Sequence, residues 1–233
     1  MNTFFGIIQN NAAILSEDES LHCVKVLRHK VGDTICVIDG NGTRAIGKIE
    51  AAHAKQCAVS LSNKQLVEKN RNYYLHVAIA PTKNIERIEW FVEKAVEMGI
   101  DEISFIRSKN SERTVVKDDR IRKVAESAVK QSQQAYIPKM NSLTDFKDLL
   151  KQAEADVKLI AHCEEDKKEN IKNYITQGKS YLVLIGPEGD FTKEEIEQAL
   201  ASNYKPVALG DNRLRTETAG LYVCGALAVI NSK

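Results

Sequence analysis

"YLVLIGPEGDFTKEEIEQALAS", Tyr181 to Ser202, holds a change of rhythm that decides the fold. Tyr181 to Ile185 are apolar without alternation, as expected of a strand buried on both faces of a parallel sheet. A Gly-Pro turn follows. Thr192-x-x-Glu195 then has the spacing of a capping box and opens the helix "KEEIEQALAS". The same alternation extends both ways. "VKLIAH" and "YYLHVAIA" lie upstream as strands, with "EISFI" between two amphipathic helices, and "KPVAL" lies downstream. The first helix, "IERIEWFVEKAVEMG", puts Ile85, Ile88, Val92 and Ala95 on one face and Gly99 at its C′ position. The second, "DDRIRKVAESAVKQSQQ", repeats the pattern with Ile121, Val124, Ala125, Ala128 and Val129. "TAGLYVCGALAVI" near the end is apolar on nearly every face, so it is expected to be buried on all sides. A subunit interface is an economical way to do that. Residues 73–233 thus read as an α/β domain with an open, mostly parallel sheet.

Residues 1–69 read differently. Ser16-x-x-Glu19 is a capping-box pattern leading into "LHCVKVLR". Short runs, "TICVIDG", "TRAIGKIE" and "QCAVSLS", follow, with "DGNG" as a hairpin signal between the first two. Closely spaced short strands predict a small β-barrel. The polar stretch Asn63–Asn72 reads as the exit from it.

Composition narrows the class. The chain is 43% hydrophobic and 28% charged, ordinary for a soluble protein. No apolar run approaches the roughly 20 residues of a membrane span. "MNTFFGIIQNNAAIL" has no basic region ahead of its apolar residues, so no signal peptide is expected. Cys23, Cys36, Cys57, Cys163 and Cys224 are scattered with no C-x-x-C pair, which suggests reduced cytoplasmic thiols and no metal site. A net charge of +1 is low for a non-specific nucleic-acid binder. Two basic clusters, Lys25–Lys30 and the run from Arg107 to Lys123, keep an RNA partner open, although each taken singly is an ordinary solvated face.

In open parallel sheets ligands bind at loops leaving the carboxyl ends of strands. Two such loops are unusual. In "LIGPEGDF", Gly186 and Gly189 let backbone approach a ligand and Pro187 stiffens the turn. An ordinary tight turn with proline in second position meets that spacing equally well. It is neither a G-x-G-x-x-G nor a P-loop pattern, so a ligand gripped by backbone, such as an adenine edge, fits better than a phosphate. The second loop is "LGDNRLRTETAG", Leu209–Gly220. Thr216 is a reasonable N-cap and Glu217 suits the helix dipole. Arg213 and Arg215, by contrast, stand just before the positive end of a helix, which points to an anionic or electron-rich ligand.

Together, "LIGPEGDFTKEEI" and "ALGDNRLRTETAG" resemble the RsmE family of the SPOUT methyltransferase superfamily. "HCVKVLRHKVGD" is similar to that family's N-terminal barrel motif, and "IERIEWFVEKAVEMGI", "SERTV" and "ESAVKQSQQAYIP" are similar to its later regions, collinear over nearly the whole chain. The resemblance implies a PUA-like barrel (1–69) that binds RNA and a SPOUT domain (73–233) with a C-terminal trefoil knot in its mostly parallel sheet. It also implies transfer of methyl from S-adenosylmethionine to N3 of a uridine near the 3′ end of small-subunit (16S) rRNA, within the assembled 30S subunit. The enzyme would be a cytoplasmic homodimer joined through the knot helices. The cofactor residues it implies are Gly186, Pro187, Glu188, Gly189, Leu209, Gly210, Leu214, Thr216, Thr218 and Ala219. Arg215 would stabilise the uridine anion, and Glu217 would accept the proton or orient Arg215. Arg28, Arg107, Arg113 and Gln131 are the candidate RNA contacts. His162, near these loops in topology, fits a structural role. Asp190 departs from the family's second glycine after GPEG, and Asn212-Arg213 and "VKQSQQ" depart from its usual residues. A SPOUT enzyme with another RNA target, or a non-catalytic RNA-binding protein of the same fold, is the alternative.

Overall fold

The computed structural model describes residues 1–69, 71–164 and 167–231. The chain forms two compact units, Met1–Lys69 with Val129–Ile137, and Asn70–Ala128 with Pro138–Lys233.

The first unit is a closed barrel of β1 (Thr3–Gln9), β2 (Ala12–Leu15), β3 (Thr34–Ile38), β4 (Thr43–His53) and β5 (Gln56–Leu66), in the order β1-β2-β5-β4-β3. Its neighbours are antiparallel except β1 and β3, whose parallel pairing closes the barrel. Phe4, Leu15, Ile35, Val37, Ile49 and Val59 fill the interior. Two of these strands, β1 and β2, lie in the N-terminal stretch from which only the lack of a signal peptide was read. Residues Asn63–Leu66, read as an exit, stay paired in β5. The "DGNG" hairpin is present, and Asp39 Oδ1 closes it by accepting from the backbone N–H of Asn41 (2.8 Å) and Thr43 (2.9 Å).

Helix α1 (Glu17–Leu21) starts at Ser16, whose hydroxyl accepts from Glu19 N–H at 3.3 Å. The buried Glu19 carboxylate is paired with Lys130, and after α1 the backbone widens into a π-helical turn, His22–Val26. Lys130 lies in the segment 129–137, which the sequence-drawn boundaries place with the sheet. Here that segment packs with the barrel. Gly42 N–H donates to Ala135 O (3.0 Å), Ile137 N–H donates to Gly40 O (2.9 Å), and Asn41 bridges Tyr136. Gly42, at φ +104°, lies so close to the Tyr136 ring that an added Cβ would fall 2.3 Å from its hydroxyl.

The second unit is a seven-stranded parallel sheet. Its strands are β6 (Tyr74–Ile79), β7 (Glu102–Arg107), β8 (Lys139–Asp145), β9 (Val157–Ala161), β10 (Glu169–Asn170), β11 (Ser180–Ile185) and β12 (Lys205–Ala208). The order is β10-β12-β9-β11-β6-β7-β8, so the direction of winding reverses between β6 and β11. Helices α4 (Phe146–Gln152) and α5 (Lys193–Ala201) cover one face, with Phe146, Leu149, Ile196 and Ala199 packed on Ala78, Ile160, Leu182 and Leu184. On β6 and β11 lies α6 (Thr216–Ile230), which also packs against α2 (Ile85–Glu97). The remaining helix, α3 (Asp118–Gln131), begins after β7. No helix among the described residues is long and apolar enough to cross a membrane.

The expected all-round burial of α6 is met on one side. Val223, Cys224 and Leu227 are buried, whereas Tyr222, Val229 and Ile230 are exposed, because α2 and the sheet cover only one flank of the helix.

A polar cluster sits where β6, β7 and β8 begin. His76 Nε2 is 2.8 Å from the Ser104 hydroxyl. Asn141 Nδ2 donates to Ser104 Oγ (2.8 Å) and Glu102 Oε1 (2.6 Å), and Tyr74 donates to Glu102 Oε2 (2.7 Å). Burial presses His76 down from 6.5 to about 4. Burial pushes the Glu102 carboxyl up, but bonds from Lys139 and Asn141 outweigh it and leave it below its usual range. Below pH 6.5 the unfolded chain takes up a proton at His76 that the folded chain refuses until about pH 4. Stability to urea is therefore complete above pH 6.5 and falls as the pH drops toward 4. His76→Gln is expected to flatten that slope, and an unchanged slope would remove His76 as its source.

Candidate active site

At the carboxyl ends of β9, β11 and β12 the loops enclose a cavity of about 730 Å³. Its volume lies in the range of small-molecule sites.

The loop after β11 is a tight turn in which Asp190 N–H donates to Pro187 O at 2.9 Å. Gly186 is confined, since a Cβ there would lie 3.1 Å from the Phe191 ring and 3.3 Å from Asp190 Oδ1. Its carbonyl accepts the Thr216 hydroxyl at 3.0 Å, which joins the two unusual loops. Glu188 Oε1 accepts from Lys83 N–H at 3.2 Å. The capping box of α5 is complete. Thr192 Oγ1 accepts from Glu195 N–H, and Glu195 Oε2 accepts from Thr192 N–H. The other Glu195 oxygen accepts from Lys109 N–H at 2.8 Å, which ties in the loop after β7.

The loop after β12 turns at Gly210, φ +120°, with open space where a Cβ would stand. Thr216, expected as N-cap, is instead the first residue of α6, and Arg215 is the N-cap without a side-chain cap bond. The Thr216 hydroxyl donates to Gly186 O. Arg213 and Arg215 are exposed at the cavity wall. Glu217 is buried, with Oε1 3.9 Å from Arg87 Nε on α2 and Oε2 without a hydrogen-bond partner.

Of the expected cofactor residues, Gly186, Pro187, Glu188, Leu209, Gly210, Leu214, Thr216 and Ala219 line the cavity, and so does Arg215. Gly189, Thr218 and Glu217 are not on its wall. Gly189 faces Asn110, whose Nδ2 donates to its carbonyl at 3.1 Å, and Thr218 is exposed. Arg113 is tied to the loop after β6, with Nε donating to Thr82 O (2.9 Å) and Nη2 to Lys83 O (2.5 Å). Arg107 pairs with Asp145 at 2.7 Å and is half exposed. Arg28, at φ +58°, and Gln131 are exposed residues of the barrel unit. His162 and Cys163, just after β9, also line the cavity, as do Lys168 and Asp190, and sequence reasoning gave Cys163 no part in it.

Residues 68–228 match the model of an RNA methyltransferase domain, and residues 15–62 match that of an RNA methyltransferase PUA domain. A ribosomal RNA small subunit methyltransferase E of Mesomycoplasma hyopneumoniae is 31% identical, over 92% of this chain and 93% of its own. The chain belongs to the ribosomal RNA small subunit methyltransferase E family. As a member of that methyltransferase E family it is an RNA methyltransferase. The crystal structure of a probable rRNA-methyltransferase from Porphyromonas gingivalis is 38% identical, with a TM-score of 0.91 over 99% of this chain and 98% of that one. A methyltransferase E from Neisseria gonorrhoeae, solved bound to S-adenosylmethionine, shares the fold at 22% identity and a TM-score of 0.82, over 99% of this chain and 98% of that one.

Proposed function

We propose that this chain transfers the methyl group of S-adenosylmethionine to N3 of a uridine near the 3′ end of small-subunit (16S) rRNA, within the assembled 30S subunit. The observation that carries the reading is one cavity walled by the Gly186–Glu188 and Leu209–Arg215 loops, which the Thr216–Gly186 bond holds together. The residues fit the cofactor. Confined glycine backbone offers amide and carbonyl groups to an adenine edge, and the cavity volume suits a ligand of that class. When bound, the cofactor supplies an electrophilic methyl on a sulfonium.

The chain's own residues prepare the acceptor. Uridine N3 is an imide nitrogen that attacks well only as the anion, and the Arg215 guanidinium at the wall stabilises that charge. Glu217 sits away from the wall toward Arg87, which favours orientation of the first turn of α6 over direct proton transfer. Gly189 is held by Asn110 outside the cavity, and Thr218 is exposed on the first turn of α6. Arg28, Arg107 and Gln131 present donors to the RNA backbone, and Arg113 holds the loop after β6. Within this reading, residues 1–69 form the RNA-binding domain and residues 73–233 the catalytic domain, whose two cofactor loops belong to a trefoil knot. A second copy covers Tyr222, Val229 and Ile230, and the homodimer works in the cytoplasm.

The test is label transfer from methyl-labelled S-adenosylmethionine to purified small subunits lacking the modification, with the labelled base mapped. Label at uridine N3 is expected. Label on another base discards the target. Absence of both label and cofactor binding discards the catalytic reading.

A further inference from the structure

We propose that Asp190 is a positioning residue that clamps the Cys163 wall of the cavity to the loop after β11. Its carboxylate accepts two backbone N–H groups, Cys163 at 2.7 Å and Phe191 at 2.8 Å. Its carbonyl accepts from Asn110 Nδ2 at 3.0 Å, and the same amide holds Gly189 O at 3.1 Å. The loops that leave β7, β9 and β11 therefore converge on one residue. That residue has φ +62°, a left-handed conformation in which glycine is the ordinary occupant. Aspartate is among the few side chains that tolerate it, because the short carboxylate can bond nearby backbone. Glycine would remove the backbone cost but leave Cys163 N–H without this acceptor. A carboxylate accepting backbone N–H groups makes charge-assisted bonds, stronger than neutral ones. Asp190 Oδ1 also stands over Gly186, so the clamp helps fix the floor on which a cofactor would rest.

The inference rests on the reading that S-adenosylmethionine occupies this cavity. A competing role is direct attraction between the carboxylate and the cofactor's own positive charge, since Asp190 lines the cavity. Two variants separate these roles. Asp190→Gly keeps the backbone conformation and removes the clamp. Asp190→Asn keeps an oxygen acceptor for Cys163 N–H, loses the one for Phe191 N–H and removes the charge. Cofactor affinity is measured by calorimetry, and steady-state kinetics are run on unmodified small subunits.

Asp190→Gly is expected to raise the cofactor Kd and KM about tenfold, the scale of one charge-assisted bond, with kcat at saturating cofactor and KM for the RNA unchanged. Asp190→Asn is expected to fall between wild type and Asp190→Gly, because its single amide oxygen can accept from only one of the two N–H groups. An Asp190→Gly enzyme that binds cofactor like wild type overturns the clamp. A loss in Asp190→Gly that is seen for S-adenosylmethionine and absent for S-adenosylhomocysteine, whose sulfur is uncharged, also overturns it and gives the role to charge. A wild-type chain that binds no cofactor overturns the functional reading, and the clamp with it.

Discussion

Arg215→Ala lowers kcat/KM for methyl transfer by about 10²–10³-fold while cofactor binding stays within a few-fold of wild type, the loss seen when one donor to a developing anion is removed. The side chain is exposed at the cavity wall, beside the start of α6, and it makes no helix-capping bond. A guanidinium in that position contributes little to the folded chain in water. Its effect grows when rRNA covers the site and excludes solvent, because the same charge then acts in a lower dielectric. The loss should therefore fall on the chemical step, read as kcat in single-turnover label transfer. Arg215→Lys restores part of it, since the charge survives and the planar fork does not. Wild-type kcat in the alanine variant would show that the uridine anion is stabilised elsewhere.

Gly220→Val is the second large effect, and it acts through packing. A Cβ on Gly220 would stand 2.6 Å from Phe91 Cε2, 3.0 Å from Phe91 Cδ2 and 3.3 Å from Ile79 Cδ1. Phe91 and Ile79 are fully buried, so neither ring nor methyl has open space to move into. Forcing a branched side chain there should cost about 3 kcal/mol, the upper part of the overpacking range, and lower Tm by roughly 6–12 °C. Gly220→Ala costs less, because alanine recovers about 1 kcal/mol of helix propensity. Displacing α6 also strains the bond between Thr216, at its first turn, and Gly186 O, so cofactor affinity should fall with stability. A Gly220→Val chain that melts within about 1 °C of wild type would mean that α6 is free to shift on α2, contrary to close packing.

The central strands and the helices α2, α3, α5 and α6 were legible because burial writes itself into sequence, whereas α4, only seven residues long, was not. The strands β6, β9 and β11 are apolar runs, and α2 and α3 carry one-sided periodicity. β8 was not legible. It is an edge strand, "KMNSLTD", with no residue fully buried, and its two apolar residues, Met140 and Leu143, form no run. β1 and β2 were missed for a related reason, as Gly6 interrupts the first and the second is only four residues long.

In the site, glycines and misplaced charge located both loops. The partners of those loops were invisible. Asn110 and Asp190 lie 80 positions apart in the chain, and the bond between them runs from a side chain to a carbonyl, a contact with no local pattern. The Thr216 hydroxyl shows the limit most plainly. A threonine at a helix start reads as a cap, and only the fold reveals the carbonyl thirty positions away to which its hydroxyl donates.

The barrel's borrowed segment has a genetic consequence. Strands β1 to β5 close on themselves, yet Gly40 and Gly42 are completed by backbone groups of Ala135 and Ile137. The coding region for residues 1–69 is therefore not an exchangeable cassette. Recombination that moved it alone into another gene would strip the Asp39–Gly42 turn of its cover and leave Glu19 buried without Lys130. A barrel moved together with residues 129–137 keeps both contacts.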